Sequence, residues 1–266
     1  MMKRFLQRKN TRMYHVWLRS FMVCLCLALA GVSAWGQDNT FSGGSGTETD
    51  PYLIKTVGDL KEMVKVKNPS HFKLGQPIVL TDEQWTPLEW VGSAEFVFDG
   101  AGLSISGLKI DGTQNPNMKY SGLFSIVKDV TIKNLTVAGE ISNAEGMVGG
   151  ICGVNNGATI ENCCNNVNIT AVRAVVSGID YMLVVGGISG INFGSINKCK
   201  NEGKLKISNQ SENNKASIFL GGITGASSKN ISECYNIGGL EISNGNDKYA
   251  NYSLGGICGY IYMRLQ

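Results

Sequence analysis

From Leu103 onward the apolar residues fall in short runs that alternate with polar ones and are cut by Gly and Asn. That is strand periodicity, and no stretch of it carries a convincing helical stripe. The runs align. Ile105-x-x-Leu108, Ile132-x-x-Leu135, Ile160-x-x-Cys163, Ile196-x-x-Cys199 and Ile231-x-x-Cys234 form one column, with Cys163, Cys199 and Cys234 standing where earlier copies have leucine. A cysteine in a leucine column reads as a small buried hydrophobe. Two residues after each cysteine come Asn165, Asn201 and Asn236, which read as an asparagine ladder, each amide bonding to its equivalent one coil above and below. Val167-Asn168-Ile169, Leu205-Lys206-Ile207 and Leu240-Glu241-Ile242 follow as third strands, apolar in and polar out, so three strands are expected per repeat.

The repeat is paced by one phrase written four times. It runs Gly149-Gly150-Ile151-Cys152-Gly153, then recurs from Gly186-Gly187, Gly221-Gly222 and Gly255-Gly256, at steps of 37, 35 and 34 residues. Such a period means stacked units that bury an apolar face only against their neighbours. Gly150, Gly187, Gly222 and Gly256 are therefore structural positions, where glycine serves tight turns or close approach. A propeller blade would need four comparable antiparallel strands and a closed ring. Three strands and variable stretches before each Gly-Gly-Ile favour an all-β, right-handed parallel β-helix, one repeat per turn.

Residues 37–102 differ and read as an N-terminal cap segment. A Gly-rich turn leads through Asp50-Pro51 into a short strand, and Thr56 precedes Asp59 by three, a capping-box spacing ahead of the stripe Leu60, Met63 and Val64. Residues 103–266 are the repeats, the last incomplete. Residues 1–36 hold six Lys or Arg and no acid ahead of an apolar run at 21–32, with small residues near Ala34 and Gly36: a secretory signal peptide. The run is short for a membrane span, and none is expected after the leader is removed.

Removing the leader reverses the charge. The whole chain has 24 basic and 21 acidic side chains, but only 18 basic ones remain beside all 21 acids, a net of −3. With Arg173 and Arg264 as the arginines left, the positive stripe that a phosphate backbone requires is missing, so nucleic acid is not an expected partner.

The unit G-G-I-x-G-x-N-x-G-x-I-x-x-C-x-N-x-G, clearest over residues 186–203, resembles the GLUG motif of secreted bacterial surface proteins. Residues 46–54 and 98–108 look like the opening of such chains, including those of Bacteroidales, so the resemblance covers about residues 43–260. It implies a β-helix at or outside the cell surface, and relatives that are adhesin-like or carry the repeat beside IgA-specific metallopeptidase domains. The early copy Ser121-Gly122-Leu123-Phe124 departs from it, with Ser121 in place of the phrase's first glycine.

Catalytic chemistry is sparse. His71 is the one histidine beyond the leader and no H-E-x-x-H occurs. Asp99, Asp111 and Asp129 are the candidate carboxylates expected near one another by column, and Asp99 and Asp111 each precede a glycine as turn residues do. The cysteines recur about one repeat apart and never as C-x-x-C, so neither metal nor cofactor is expected. The expected function is a non-catalytic, secreted or surface-displayed module for adhesion, binding an extracellular glycan or protein of unknown identity. A carbohydrate-cleaving β-helix, lyase or glycosidase, is the alternative. Converging carboxylates in a groove would favour the enzyme, and a groove of Asn, Ser and Tyr the binder. A chain that stops at Gln266 would leave an uncapped coil and is expected to self-associate end to end.

Overall fold

A computed structural model describes residues 40–81, 84–173, 182–209, 217–243 and 251–262; residues 1–36, expected to be a signal peptide, lie outside these. Strands pair in parallel into four sheets that run the length of the stack, a right-handed parallel β-helix. One coil reads β13 (Thr159–Glu161) in a first, seven-stranded sheet and β14 (Cys164–Arg173) in a second, eight-stranded one. It continues through β15 (Leu183–Gly186) in a third sheet of five and β16 (Ser189–Asn192) in a fourth of six, before β17 (Ser195–Asn197) rejoins the first. Each full coil thus carries four strand positions where three were expected. The third sheet runs through residues just before each Gly-Gly-Ile, where strands such as β15 are short, buried on both faces and without alternation.

Registers correct three alignments. Phe98, Ile132, Ile160, Ile196 and Ile231 share the first-sheet column, whereas Ile105 pairs with Val137 in the second sheet, so Ile105 and Leu108 leave the column assigned to them. Leu205 pairs with Ile169 and Ile207 with Ala171, so Val167 is not the equivalent of Leu205. The register is the same 36 residues at Asn165–Asn201 and at Ile169–Leu205, although the second sheet's strand is broken in two between Asn201 and Leu205. Ser121 lies opposite Val148, which places Gly122 rather than Ser121 at the level of Gly149; that copy is one residue short.

The cap segment holds the one α-helix described, α1 (Val57–Met63). Thr56 accepts from the Asp59 amide while Asp59 accepts from the Thr56 amide at 3.0 Å, closing the capping box, and Leu60 and Met63 bury fully. Strands of this segment already belong to the shared sheets, since β1 (Tyr52–Ile54), β2 (His71–Leu74) and β5 (Val97–Asp99) are the first rungs of the first sheet. Aromatic rings fill this end of the core, with Trp90 against Phe72, Phe96, Phe98 and Phe124 at centroid distances of 6.1 to 6.5 Å. Farther along, Ile132, Ile160, Ile196, Ile188 and Ile223 are fully buried, each worth about 1.5–3 kcal/mol against exposure.

Candidate functional site

The repeat signature resolves into interlocking columns. Asn165 Nδ2 donates to Asn201 Oδ1 at 2.7 Å, and Asn201 Nδ2 to Asn236 Oδ1 at 2.6 Å, so the asparagine ladder exists as expected. Each amide also donates to the carbonyl two residues on, of Val167, Gly203 and Gly238 respectively, satisfying the turn that follows. The glycines explain themselves against this ladder. A Cβ on Gly187 would lie 2.5 Å from Asn201 Cγ, and one on Gly222 2.5 Å from Asn236 Cγ; on Gly150 it would collide with the Asn165 amide. None of these glycines has positive φ, so close approach, not turn conformation, demands them. Each coil's asparagine rests in the space that the preceding coil's glycine leaves open. Gly256 meets nothing, and among the described residues no further asparagine stacks above it.

The cysteines do more than replace leucine. At the corner between first and second sheets, Asn134, Asn162, Lys198 and Glu233 all take left-handed φ of 50 to 54°. The next residue turns inward, and the thiols of Cys163, Cys199 and Cys234 lie 3.1 to 3.2 Å from the carbonyl oxygens of Glu161, Asn197 and Ser232, within reach to donate. Burial and the neighbouring thiols push Cys199 and Cys234 well above the usual thiol pKa, the contact with the adjacent thiol contributing most in each. All three thiols are free.

Two further columns escaped the sequence reading. Cys152, Ser189, Thr224 and Cys258 occupy one register of the fourth sheet. Ser189, Thr224 and Cys258 each donate to the carbonyl two residues on, at 2.7, 3.0 and 3.1 Å. Burial raises the Cys152 thiol to about 12. In the second column, Asn155 Nδ2 donates to Asn192 Oδ1 at 2.8 Å and Asn192 Nδ2 to Ser227 Oγ at 3.0 Å. The signal was present, since the variable position of Gly-Gly-Ile-x-Gly is always a small donor and an Asn or Ser follows three residues later in the first three copies, with Ile261 in the fourth.

The carboxylates do not converge. Asp99 closes a turn by accepting from the Ala101 amide at 2.8 Å, and on the outer face of the first sheet it meets Asn134 Nδ2 at 2.9 Å and Lys133 Nζ at 3.8 Å. Asp111 sits at the end of β6 (Ser104–Asp111) in the second sheet. Its Oδ1 accepts from Thr113 N, Thr113 Oγ1 and Asn143 Nδ2, which hold its pKa below the usual carboxylate value. Asp129 has φ 54° at the corner leading into the first sheet. The shared region expected for these three is thus absent, because they lie at different corners of the coil. Among the described residues no three His, Cys, Asp or Glu side chains form a metal cluster.

A concavity of about 280 Å³ opens at the corner between second and third sheets. The short 3₁₀ turn at Gly112–Gln114, started by the Asp111 cap, carries Thr113 and Asn115 to its rim. Ser121, Asn143 and Glu145 supply the remaining polar lining, and Met118 and Val172 are among its apolar wall. Its residues come from three successive coils, so only stacking assembles it.

Fold and corner site define a β-helical scaffold presenting a small amide- and hydroxyl-lined recess. No family model matches the chain, so the likeness to the GLUG repeat rests on the quoted residues. Over 166 residues the chain is 29% identical to a protein of Evansella cellulosilytica provisionally named a Gly-rich membrane protein, covering 57% of this chain and 19% of that one. The chain therefore spans about a fifth of that relative's length. A crystal structure from Bacteroides ovatus, provisionally named an immunoglobulin A1 protease, aligns with 82% of this chain and 87% of its own at 19% identity and a TM-score of 0.47. Among the described residues no helix is long and apolar enough to cross a membrane, which leaves strands out of account.

Proposed function

We propose that this chain is a secreted or cell-surface repeat module that binds extracellular glycan or protein without catalysing a reaction, in the manner of GLUG-type adhesin-like proteins. The observation carrying this reading is the composition of the corner recess, where, among the described residues, amides and hydroxyls surround a single carboxylate, Glu145. Hydrolysis of a glycosidic bond ordinarily needs two carboxyl groups about 5–10 Å apart. Here Asp99 and Asp111 are spent on turns and ladders. The bacterial relative named a membrane protein accords with display at an envelope.

The test is to incubate the leader-free protein with a panel of polysaccharides, assaying both co-sedimentation and new reducing ends or unsaturated sugar products. Retention on at least one polysaccharide or on intact cells, with no product above a heat-denatured control, is the expected outcome. Product formation that depends on time and protein would replace this reading with the lyase or glycosidase one.

A further inference from the structure

Resting on the binding reading above, we infer that the recess lined by Thr113, Asn115, Ser121, Asn143 and Glu145 is a subsite for one uncharged pyranose ring and that it discriminates against acidic sugars. Its volume of 280 Å³ lies just below the range typical of sites for drug-sized ligands, about 300–1,000 Å³, and so suits one ring rather than an extended chain. Its chemistry suits the same guest. The amide side chains of Asn115 and Asn143 offer both donors and acceptors, and the hydroxyls of Thr113 and Ser121 offer either, matching sugar hydroxyls that do the same. A carboxylate accepts from two neighbouring hydroxyls at once, which Glu145 can do for a vicinal diol. Pro116, Met118, Ala144 and Val172 give an apolar wall for the ring's C–H face.

Charge supplies the selectivity. Among the described residues no lysine or arginine lines the recess, while Glu145 is in it and Asp111 stands directly beside its rim residues Gly112 and Thr113. A uronate or sialate would bring a third carboxylate to this corner without a cation to receive it, and like charges at close quarters oppose binding. The corner is also organised before any guest arrives. Gln84, though exposed, bonds to both the amide and the carbonyl of Asp111 at 2.9 and 3.0 Å, mimicking a missing strand. Asp111 in turn fixes Thr113 and Asn143 through its Oδ1, so two of the lining side chains are tied to one carboxylate. Close approach locks the two coils together, since a Cβ on Gly112 would collide with the Asn143 carbonyl.

The experiment is ligand-observed NMR titration of the leader-free protein with N-acetylglucosamine, methyl galactoside, galacturonate and N-acetylneuraminate. At least one neutral sugar should saturate with a Kd on the order of 1 mM, as befits so few contact atoms, with both acidic sugars about tenfold weaker or silent. Glu145→Gln should weaken the neutral sugar about tenfold, the loss expected for one charge-assisted hydrogen-bond acceptor, and narrow the gap to the acidic sugars. Asn115→Ala, at a solvent-exposed position, gives a second reading should the first variant perturb the fold, which circular dichroism of each variant checks. Acidic sugars binding as well as neutral ones, or neutral binding unchanged in both variants, overturns the assignment. So does silence from all four sugars. If that silence accompanies retained binding to polysaccharide or cells, only the subsite falls; if whole-protein binding is also lost, the binding reading falls with it.

Discussion

The interlock between Gly150 and Asn165 makes a quantitative prediction. Asn165 is fully buried, donates to Asn201 Oδ1 at 2.7 Å and accepts from the Val167 amide at 3.1 Å. Asn165→Ala strands both partners, and at about 1–3 kcal/mol for each buried group left unsatisfied the loss is about 3 kcal/mol. Gly150→Ala places a methyl 2.6 Å from Asn165 Cγ and 2.8 Å from the Gly187 carbonyl oxygen, an overpacking that costs about 1–3 kcal/mol. In the double variant the Asn165 amide, the closest obstacle, is gone, and of the nearest contacts only that with the Gly187 backbone oxygen at 2.8 Å remains, so part of the clash persists. The two losses should therefore fall short of additivity by about 1.5 kcal/mol. Urea unfolding of the four leader-free proteins, followed by far-ultraviolet circular dichroism, measures this, with a constant m-value showing that the same cooperative unit melts each time. Additivity within about 0.5 kcal/mol would refute the claim that signature glycine and signature asparagine form one unit.

The remaining predictions concern titratable groups. Coils about 4.8 Å apart bring Cys163, Cys199 and Cys234 within reach, but parallel Cβ vectors give poor disulfide torsion, so all three should stay thiols, with buried Cys163 and Cys199 reacting with a thiol reagent only after unfolding and half-buried Cys234 reacting first; a fully oxidised column would contradict this. Because burial raises Cys152 from 9.0 to about 12, its stabilising contribution is complete below pH 9 and declines as pH rises toward 12, where the unfolded chain has already ionised. Urea midpoints between about pH 8 and pH 10.5 should fall less steeply in Cys152→Ala than in the parent, and equal slopes would count against it. Burial opposes ionisation of Asp59, but bonds from Ser42, Lys55 and Thr56 outweigh it and leave the pKa below 3.8, so its contribution is present above that value and lost as pH falls through the lowered one. Asp59→Asn should cost about 1 kcal/mol at neutral pH, as a lost helix cap does, and flatten the acid limb of stability; an unchanged limb would refute the assignment.

Much of this was legible along the chain because each feature depends on residues close in sequence or repeated at a constant step. The capping box needs only Thr56 and Asp59, three residues apart. The asparagine ladder follows from one position recurring with every coil, which any stacked repeat turns into a column. The four-strand coil was illegible because the third sheet's strands, such as β15, are short and buried on both faces, so they show no alternation. Asp99, Asp111 and Asp129 looked related in sequence, but the direction each carboxylate faces depends on which corner of the coil it occupies.

The sequence by itself determined the period, the parallel stack and the inward columns, since a residue recurring once per coil can only face its own copies. The tertiary structure alone decided the registers, because one-residue shifts such as those at Val137–Gly139 and Ile141–Ala144 are absorbed within a strand and leave the sequence period almost unchanged. It alone revealed why the glycines are glycines: the amides of Asn201 and Asn236 reach Gly187 and Gly222 across the hollow of the coil, 14 residues on along the chain. The corner recess is of the same kind. Thr113, Asn143 and Val172 sit about one coil apart in sequence and become one wall only when the coils stack.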